Sequence, residues 1–301
     1  MSGPSNAAIN TIPLESWFWA VVFAVSGLML TFARIGAVEA PSTDEFTEHN
    51  RDRITQFRAA PDGYRVLMLG SSQLKYATGD EWELGQRART AKLDAAFLRI
   101  TQNSAQFTDF AMLLDDILDL RPDVILIEAS LIVRNRTQDL NLRKLQRFLI
   151  WNLRRKTLDH LWDPVGQDQE ALQSVMKCAR DFSEERLQER LRRFEARADY
   201  STDGPSAVLA RQFMSQARKL SIHVQIVDVP TTTTHRESIR SLPAAEVIRS
   251  VTRIWAENTW QFDEPMSDDY FCDFVHVDER GQATYSNWLF KQIQALQPYS
   301  A

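Results

Sequence analysis

The chain has 301 residues, with 35 Lys or Arg against 40 Asp or Glu, so its net charge is -5. This acidic balance argues against a general nucleic-acid-binding protein, which would present a basic surface. The length favours one α/β domain of about 250 residues with attached segments. Only Cys178 and Cys272 are present, so we expect no disulfide framework and no metal site, and Cys272 is interpreted as a small packing residue.

The most apolar segment lies near the N-terminus. Residues 17–33 carry no charge, and Arg34 follows them at the position of the lipid headgroups. Because a bilayer core needs about 20 apolar residues, we expect residues 1–38 to contain a retained transmembrane helix. A cleaved signal peptide is less favoured because no Lys or Arg precedes the run. A buried core helix is the third interpretation.

The charges around this segment give a weak indication of its orientation. The nearest basic residues, Arg34, Arg51 and Arg53, all lie on its C-terminal side. Taken alone, they place the large domain in the cytoplasm. The following residues, 39–63, are polar and contain Pro and Gly, so they predict a tether with one short helix over 45–57.

From residue 64 onward, apolar strands alternate with amphipathic helical patterns. This alternation predicts a flavodoxin-like three-layer α/β/α domain, 64–301, with a five-stranded parallel sheet of order 2-1-3-4-5. Its helical insertion is predicted over 134–200. The predicted strands are 65–69, 97–101, 124–128, 224–229 and 259–262, and the predicted helices are 108–120, 207–220, 244–256 and 282–296.

The insertion begins with an unusually basic stretch. Between Arg134 and Lys156 there are eight basic residues against Asp139 alone, with apolar residues interleaved. This pattern predicts a basic amphipathic helix that contacts anionic headgroups, an anionic polymer or a membrane partner. The alternative is a helix packed on the domain with a solvated basic edge. Residues 183–200 predict an ordinary surface helix.

Two short motifs carry candidate chemistry. The first strand runs into Gly70-Ser71-Ser72, and the last strand is followed by Asp273-Phe274-Val275-His276. The carboxyl ends of parallel strands share one edge of the sheet, so the two motifs are expected to meet there. A serine hydroxyl needs a base, and a histidine serves best when a carboxylate fixes its tautomer. The motifs therefore predict Ser72, His276 and Asp273 as a catalytic triad, with Ser71 as the second candidate nucleophile.

The order of these blocks resembles that of the SGNH (GDSL-like) hydrolase superfamily, in which a serine block opens the domain and a D-x-x-H block closes it. The form Leu69-Gly70-Ser71-Ser72-Gln73 is similar to a membrane-anchored branch that includes DltD-like and alginate O-acetylation-like proteins. The resemblance implies Ser72 as the nucleophile, with Ser71 in the place of the usual aspartate.

The family often supplies oxyanion donors from the nucleophile's N–H, from a glycine after the second strand and from an asparagine after the third. Here Asn103 and Ser130 stand after those strands, without the glycine and without Gly-x-Asn-Asp. Either Asn103, Ser130 and backbone amides replace the missing oxyanion donors, or turnover of simple esters is weak. Asn103 is equally interpreted as a turn residue.

The resemblance implies a membrane-anchored serine O-acyltransferase or esterase, without a cofactor, that adds or removes acetyl groups through an acyl-serine. The implied acceptor is a cell-envelope or secreted polysaccharide, and the implied partner is a multi-span membrane acyltransferase of the MBOAT type. It places the domain on the periplasmic or outer side of the cytoplasmic membrane, against the charge pattern. Two alternatives remain: a lipid esterase or thioesterase at the membrane surface, and a non-catalytic scaffold of a polysaccharide-acylation complex.

Overall fold

The computed structural model describes residue 19 and residues 41–59, 63–136, 178, 180–240 and 242–297. Apart from Trp19, the predicted membrane anchor lies outside these residues, and so does the basic segment from residue 137 onward. Within the described ranges, none of the helices combines the length and apolar character that crossing a bilayer requires.

The contacts divide the chain into two units, residues 1–52 and 53–301. Helix α1 (Pro41–Arg58) begins in the first unit and ends in the second. The short helix predicted over 45–57 is therefore confirmed, and it starts four residues earlier than expected.

A parallel sheet forms the centre of the second unit. Its strand order is β2-β1-β3-β6-β7, which is the predicted order 2-1-3-4-5 for its five members. A separate antiparallel pair joins β4 to β5. The strands are β1 (Tyr64–Gly70), β2 (Ala95–Thr101), β3 (Val124–Glu128), β4 (Arg134–Arg136), β5 (Ala198–Tyr200), β6 (His223–Val227) and β7 (Thr259–Trp260).

Helices cover both faces of this sheet, as its uninterrupted apolar strands require. Successive side chains of a strand point to opposite faces, and in β1 all four residues from Val66 to Leu69 are fully buried. Val66 and Met68 pack with helices on one face, where Trp288 and Tyr285 fill the core. The helices are α2 (Ser72–Thr78), α3 (Glu81–Thr90), α4 (Leu114–Leu120), α5 (Ala129–Val133), α6 (Glu184–Arg197), α7 (Pro205–Lys219), α8 (Thr233–Ile239), α9 (Pro243–Ile254) and α10 (Glu279–Leu296).

Three local predictions need correction. The helix predicted over 108–120 is divided into a 3₁₀ helix (Phe107–Leu113) followed by α4. Helices α2 and α3 were not predicted. The basic segment begins as strand β4 rather than as a helix, because Arg134–Arg136 pair with β5. The surface helix predicted over 183–200 is present as α6, and its last three residues form β5 instead.

Candidate active site

Ser72 lies at the junction between β1 and α2. Strand β1 ends at Gly70, Ser71 caps the helix by accepting the N–H of Gln73 (3.2 Å), and Ser72 is the first helical residue. A Cβ at Gly70 would lie 2.5 Å from the side chain of Leu74. Only glycine therefore lets the chain turn this closely from strand into helix, and the turn places the Ser72 hydroxyl at the carboxyl edge of the sheet.

The structure brings together the three residues predicted as a triad. His276 Nε2 is 3.0 Å from Ser72 Oγ, and His276 Nδ1 is 2.9 Å from Asp273 Oδ2. The other carboxylate oxygen of Asp273 accepts the backbone N–H groups of Val275 and His276, both at 2.9 Å. The D-x-x-H spacing thus forms one closed turn, in which the acid and the base are held by the same loop.

The ionisation of Asp273 follows from its hydrogen bonds. Burial acts to raise the pKa of Asp273, but the hydrogen bond and charge of His276, the N–H of Val275 and the charge of Arg190 together lower it to about 2. An ionised carboxylate accepts hydrogen bonds only. It therefore holds the proton of His276 on Nδ1 and leaves Nε2 free to accept the proton of Ser72.

The loop that carries His276 is fixed by neighbouring elements. Cys272 N–H donates to the His276 carbonyl (2.7 Å), and Thr232 donates to the Phe274 carbonyl through both its N–H (3.0 Å) and its hydroxyl (3.1 Å). The Tyr76 ring lies edge-on to the imidazole, with ring centroids 4.8 Å apart. These contacts orient the imidazole before any substrate is bound.

Contrary to expectation, the two cysteines form a disulfide. Cys178 and Cys272 are bonded across 94 residues, with their Cα atoms 4.9 Å apart. The expectation of no disulfide and the interpretation of Cys272 as a packing residue are therefore wrong. Because Cys272 precedes Asp273, the bond ties the chain before α6 to the loop of the candidate site.

Glu128 was missed by the sequence analysis. It ends β3 with only 1% of its surface exposed, and its carboxylate accepts the N–H (2.6 Å) and the hydroxyl (2.7 Å) of Ser71. It also accepts the Ser130 hydroxyl and the N–H of Leu74 (3.4 Å). The one available signal was an acid at the end of an otherwise apolar strand, since an unpaired carboxylate is rarely buried.

The residues predicted to assist at the oxyanion have the following surroundings. The Ser71 and Ser130 hydroxyls both donate to Glu128. Asn103 is exposed in a turn closed by the Ala105 N–H on the Gln102 carbonyl (3.1 Å). The described part of the chain contains no hydrogen bond between Asn103 and the triad.

The backbone N–H of Ser72 differs from the neighbouring N–H groups in its hydrogen bonding. In the first turn of α2, the N–H groups of Ser71 and Leu74 bond to Glu128, that of Gln73 to the Ser71 hydroxyl, and that of Lys75 to the Ser71 carbonyl. Among the described residues, the Ser72 N–H has no such acceptor. It is therefore available to a ligand beside the hydroxyl of the same residue.

A second acid follows the neighbouring strand β6. Asp228 is exposed at the surface, but desolvation by the atoms packed around its carboxyl group raises the pKa of Asp228 to about 6. The charge of Arg236 and the N–H of Val229 oppose this shift, and the charge of Glu128 adds to it. The Tyr285 hydroxyl donates to the Asp228 carbonyl (3.1 Å).

Within the described ranges, no group of three or more His, Cys, Asp or Glu side chains is arranged to hold a metal ion.

No protein-family model matches the sequence, and no curated protein matches it significantly. Several solved structures are distantly similar to this chain. A GDSL-like lipase from Bacteroides thetaiotaomicron is 13% identical with a TM-score of 0.42, covering 84% of this chain and 100% of its own. A putative acylhydrolase from Bacteroides fragilis is 12% identical with a TM-score of 0.41, covering 81% and 95%. An esterase from Pseudoalteromonas, inhibited by monoethylphosphonate, is 9% identical with a TM-score of 0.37, covering 77% and 97%. At this similarity, the reaction must be inferred from the residues of this chain.

Proposed function

We propose that this protein is a serine esterase or acyltransferase that forms an acyl-serine at Ser72. The supporting observation is the continuous relay from Asp273 through His276 to Ser72, with contacts of 2.9 and 3.0 Å. A serine hydroxyl becomes an effective nucleophile when an adjacent base takes its proton. Asp273 occupies Nδ1 of the imidazole, so Nε2 is the nitrogen that faces the hydroxyl as a base.

The proposed reaction begins when Ser72 Oγ attacks an ester carbonyl and its proton passes to His276 Nε2. The carbonyl oxygen becomes an oxyanion, which the free N–H of Ser72 is positioned to stabilise. The intermediate then collapses, and His276 returns the proton to the departing alkoxide. Attack of water on the acyl-serine gives a carboxylic acid, and attack of another hydroxyl gives a new ester.

The oxyanion site is the weakest part of this machinery. The hydroxyls of Ser71 and Ser130 donate to Glu128, and the exposed Asn103 has no hydrogen bond to the triad among the described residues. The loss of one oxyanion donor costs about 2.7–4 kcal/mol of transition-state stabilisation in a serine protease. We therefore expect slow turnover of simple esters.

The proposed natural reaction is transfer or removal of acetyl groups on a cell-envelope or secreted polysaccharide. This finer proposal draws on the resemblance carried by Leu69–Gln73 and on the uncharged run at residues 17–33, which is proposed to anchor the chain in the cytoplasmic membrane with its domain outside. A multi-span membrane acyltransferase would then supply the acyl group. The intact relay disfavours the scaffold alternative, because a decayed site has no reason to keep three side chains in register.

A fluorophosphonate probe tests the acyl-serine proposal. Mass spectrometry of the labelled full chain is expected to place the adduct on Ser72, and Ser72→Ala is expected to abolish the adduct while the protein stays folded. Labelling elsewhere, or none in the folded wild type, would contradict a serine mechanism.

The substrate class needs a separate measurement. We expect incubation with p-nitrophenyl acetate and an uncharged oligosaccharide to yield acetylated sugar. A long-chain p-nitrophenyl ester hydrolysed in preference to the acetate would instead favour the lipid esterase.

Reporter fusions after Val38 would test the proposed membrane orientation. The proposed orientation fails if only a cytoplasm-dependent reporter is active.

A further inference from the structure

The carboxylate of Asp273 has a second cationic partner besides the imidazole. Arg190 donates from Nη2 to Asp273 Oδ2, the same oxygen that faces His276 Nδ1. The side chains of Arg190 and Asp273 are only 31% and 17% exposed. Charge-assisted bonds of this kind are stronger than neutral ones, and the partial shielding separates this pair from an ordinary surface ion pair.

Arg190 comes from α6, a helix that the sequence places in an insertion and assigns to the surface. The helix nevertheless packs on the loop of the candidate site. Leu187 and Leu191 of α6 contact the buried side chains of Phe274 and Val275, on either side of which lie Asp273 and His276. The contact with Asp273 is therefore supported by an apolar interface.

The chain immediately before α6 is fastened to the same loop at several points. The disulfide joins Cys178 to Cys272, and Arg180 contacts the Asp269 carbonyl (3.1 Å) and the Asp278 carboxylate (3.3 Å). The Phe182 ring lies edge-on to Phe274, with centroids 5.5 Å apart. One covalent bond and several weaker contacts thus hold the start of α6 against the segment 269–278.

We propose that Arg190 is a positioning residue of the catalytic unit, and that the Cys178–Cys272 disulfide keeps α6 where Arg190 reaches Asp273. This inference rests on the proposed serine mechanism. Arg190 fixes the carboxylate that orients His276, and its positive charge opposes a second positive charge on the imidazole that shares the same carboxylate oxygen.

Among the described residues, three titratable groups face the Asp273–His276 pair from other elements: Tyr76 of α2, Arg190 of α6 and His235 of α8. Burial, followed by the charge of Asp273, raises the pKa of Tyr76, so that it stays neutral. Burial and then the charge of Arg190 lower the pKa of His235 to about 4, although Asp273 opposes the shift. Near neutral pH, Arg190 is thus the charged member of the three.

The pH profile of kcat/KM for p-nitrophenyl acetate, measured on the full chain, tests the role of Arg190. In Arg190→Gln, the acidic limb is expected to move to higher pH by about one unit, as a charge a few Å away in a partly screened site would produce. Arg190→Lys keeps the charge and is expected to keep the limb near its wild-type position. Arg192→Gln, an exposed change two residues along the same helix, is expected to leave the profile unchanged.

The disulfide is tested by Cys178→Ser combined with Cys272→Ser. We expect the acidic limb of this variant to move to higher pH, but by less than in Arg190→Gln. When Arg190→Gln is added, the limb is expected to lie where Arg190→Gln alone places it, because both changes act on the same Arg190–Asp273 contact. A wild-type profile in the double cysteine variant would overturn the role of the disulfide. Identical profiles for Arg190→Gln, Arg192→Gln and wild type would overturn the role of Arg190.

Fluorophosphonate labelling separates this inference from the proposed function. If wild type is labelled at Ser72 and Arg190→Gln has an unshifted profile, the inference alone fails. If the folded wild type is not labelled at Ser72, the serine mechanism and the inference fail together. Should Arg190→Gln fold poorly, Arg190→Met removes the same charge while keeping an apolar stem, and an unshifted acidic limb in that variant would contradict the electrostatic role.

Discussion

The Glu128 carboxylate accepts both the backbone N–H and the side-chain hydroxyl of Ser71, at 2.6 and 2.7 Å. The residue before the proposed nucleophile is thus held at two points by the end of the neighbouring strand. The same carboxylate also accepts the hydroxyl of Ser130 and the N–H of Leu74. Buried charges are stable when hydrogen bonds replace their hydration, and here those bonds fix the turn that presents Ser72.

Substitutions at Glu128 are expected to separate its shape from its charge. Glu128→Gln keeps the size and one acceptor oxygen, so we expect roughly a tenfold loss of kcat with little change in KM. Glu128→Ala leaves several buried donors unpaired, at about 1–3 kcal/mol each. We expect a loss of kcat of about 100-fold or more, and a free energy of unfolding lower by several kcal/mol, both measurable by ester kinetics and urea denaturation.

Glu185→Gln provides a matched control for these variants, because Glu185 is exposed on α6. It is expected to behave as wild type in both measurements. If Glu128→Gln also had wild-type kcat, the hydrogen bonds of Glu128 would have no part in positioning Ser72.

Comparison of the two adjacent serines gives the most direct test of the nucleophile. Ser72→Ala and His276→Ala are each expected to abolish acyl transfer almost completely. Ser71→Ala loses the hydroxyl that binds Glu128, so we expect slower but measurable turnover and retained labelling at Ser72. Full activity in Ser72→Ala with none in Ser71→Ala would instead identify Ser71 as the nucleophile.

Asp273→Asn extends this series to the acid. An amide in place of the carboxylate favours the wrong imidazole tautomer, and the equivalent change in a serine protease costs about 10⁴-fold in kcat. Combination of Asp273→Asn with Ser72→Ala is expected to cost little more than Ser72→Ala alone, since members of a catalytic unit are not additive. Multiplicative losses would indicate that the two residues act independently.

The central sheet was predictable because its strands are buried on both faces and are therefore apolar without interruption. Strand β3 has the predicted limits, and the strand order is as predicted. Helices α2 and α3 were missed because they are short and only a few of their residues are buried: Leu74, Ala77 and Thr78 in α2, and Leu84 and Ala88 in α3. These residues have the spacing of one helical face, but each stripe spans a single turn and is too short to distinguish a helix from a loop.

In the candidate site, residues that are close in sequence were predictable, and residues that meet only through the fold were not. Asp273 and His276 are visible together in the sequence because one turn of a loop contains both. Glu128 and Arg190 reach the site only through tertiary packing, across 57 residues to Ser71 and 83 residues to Asp273. The disulfide is of this second kind, since whether two cysteines bond depends on the distance that the fold sets between them.

The disulfide is expected to stabilise the folded domain as well as the site. In the chain-entropy account, a bond that closes a loop of about 100 residues contributes up to about 4.7 kcal/mol, and measured values are typically about 2–4 kcal/mol. We therefore expect Cys178→Ser combined with Cys272→Ser to lower the free energy of unfolding by about 2–4 kcal/mol in urea titrations. An unchanged midpoint and slope would mean that the fold does not depend on this bond.

His235 is expected to make the stability of the protein depend on pH on the acidic side. It is only 5% exposed, and its Nδ1 has no hydrogen-bond partner among the described residues. Burial, followed by the charge of Arg190, lowers its pKa to about 4, whereas an unfolded histidine has a pKa of about 6.5. The unfolded chain therefore binds a proton that the native protein does not, and stability falls as the pH falls from about 6.5 to 4, by roughly 3 kcal/mol for the whole shift.

In His235→Gln, the free energy of unfolding is expected to vary less with pH between about 6.5 and 4. His223→Gln, at an exposed histidine that begins β6, is expected to keep the wild-type slope. Parallel curves for wild type and His235→Gln, measured by urea denaturation at a series of pH values, would exclude His235 as the responsible group.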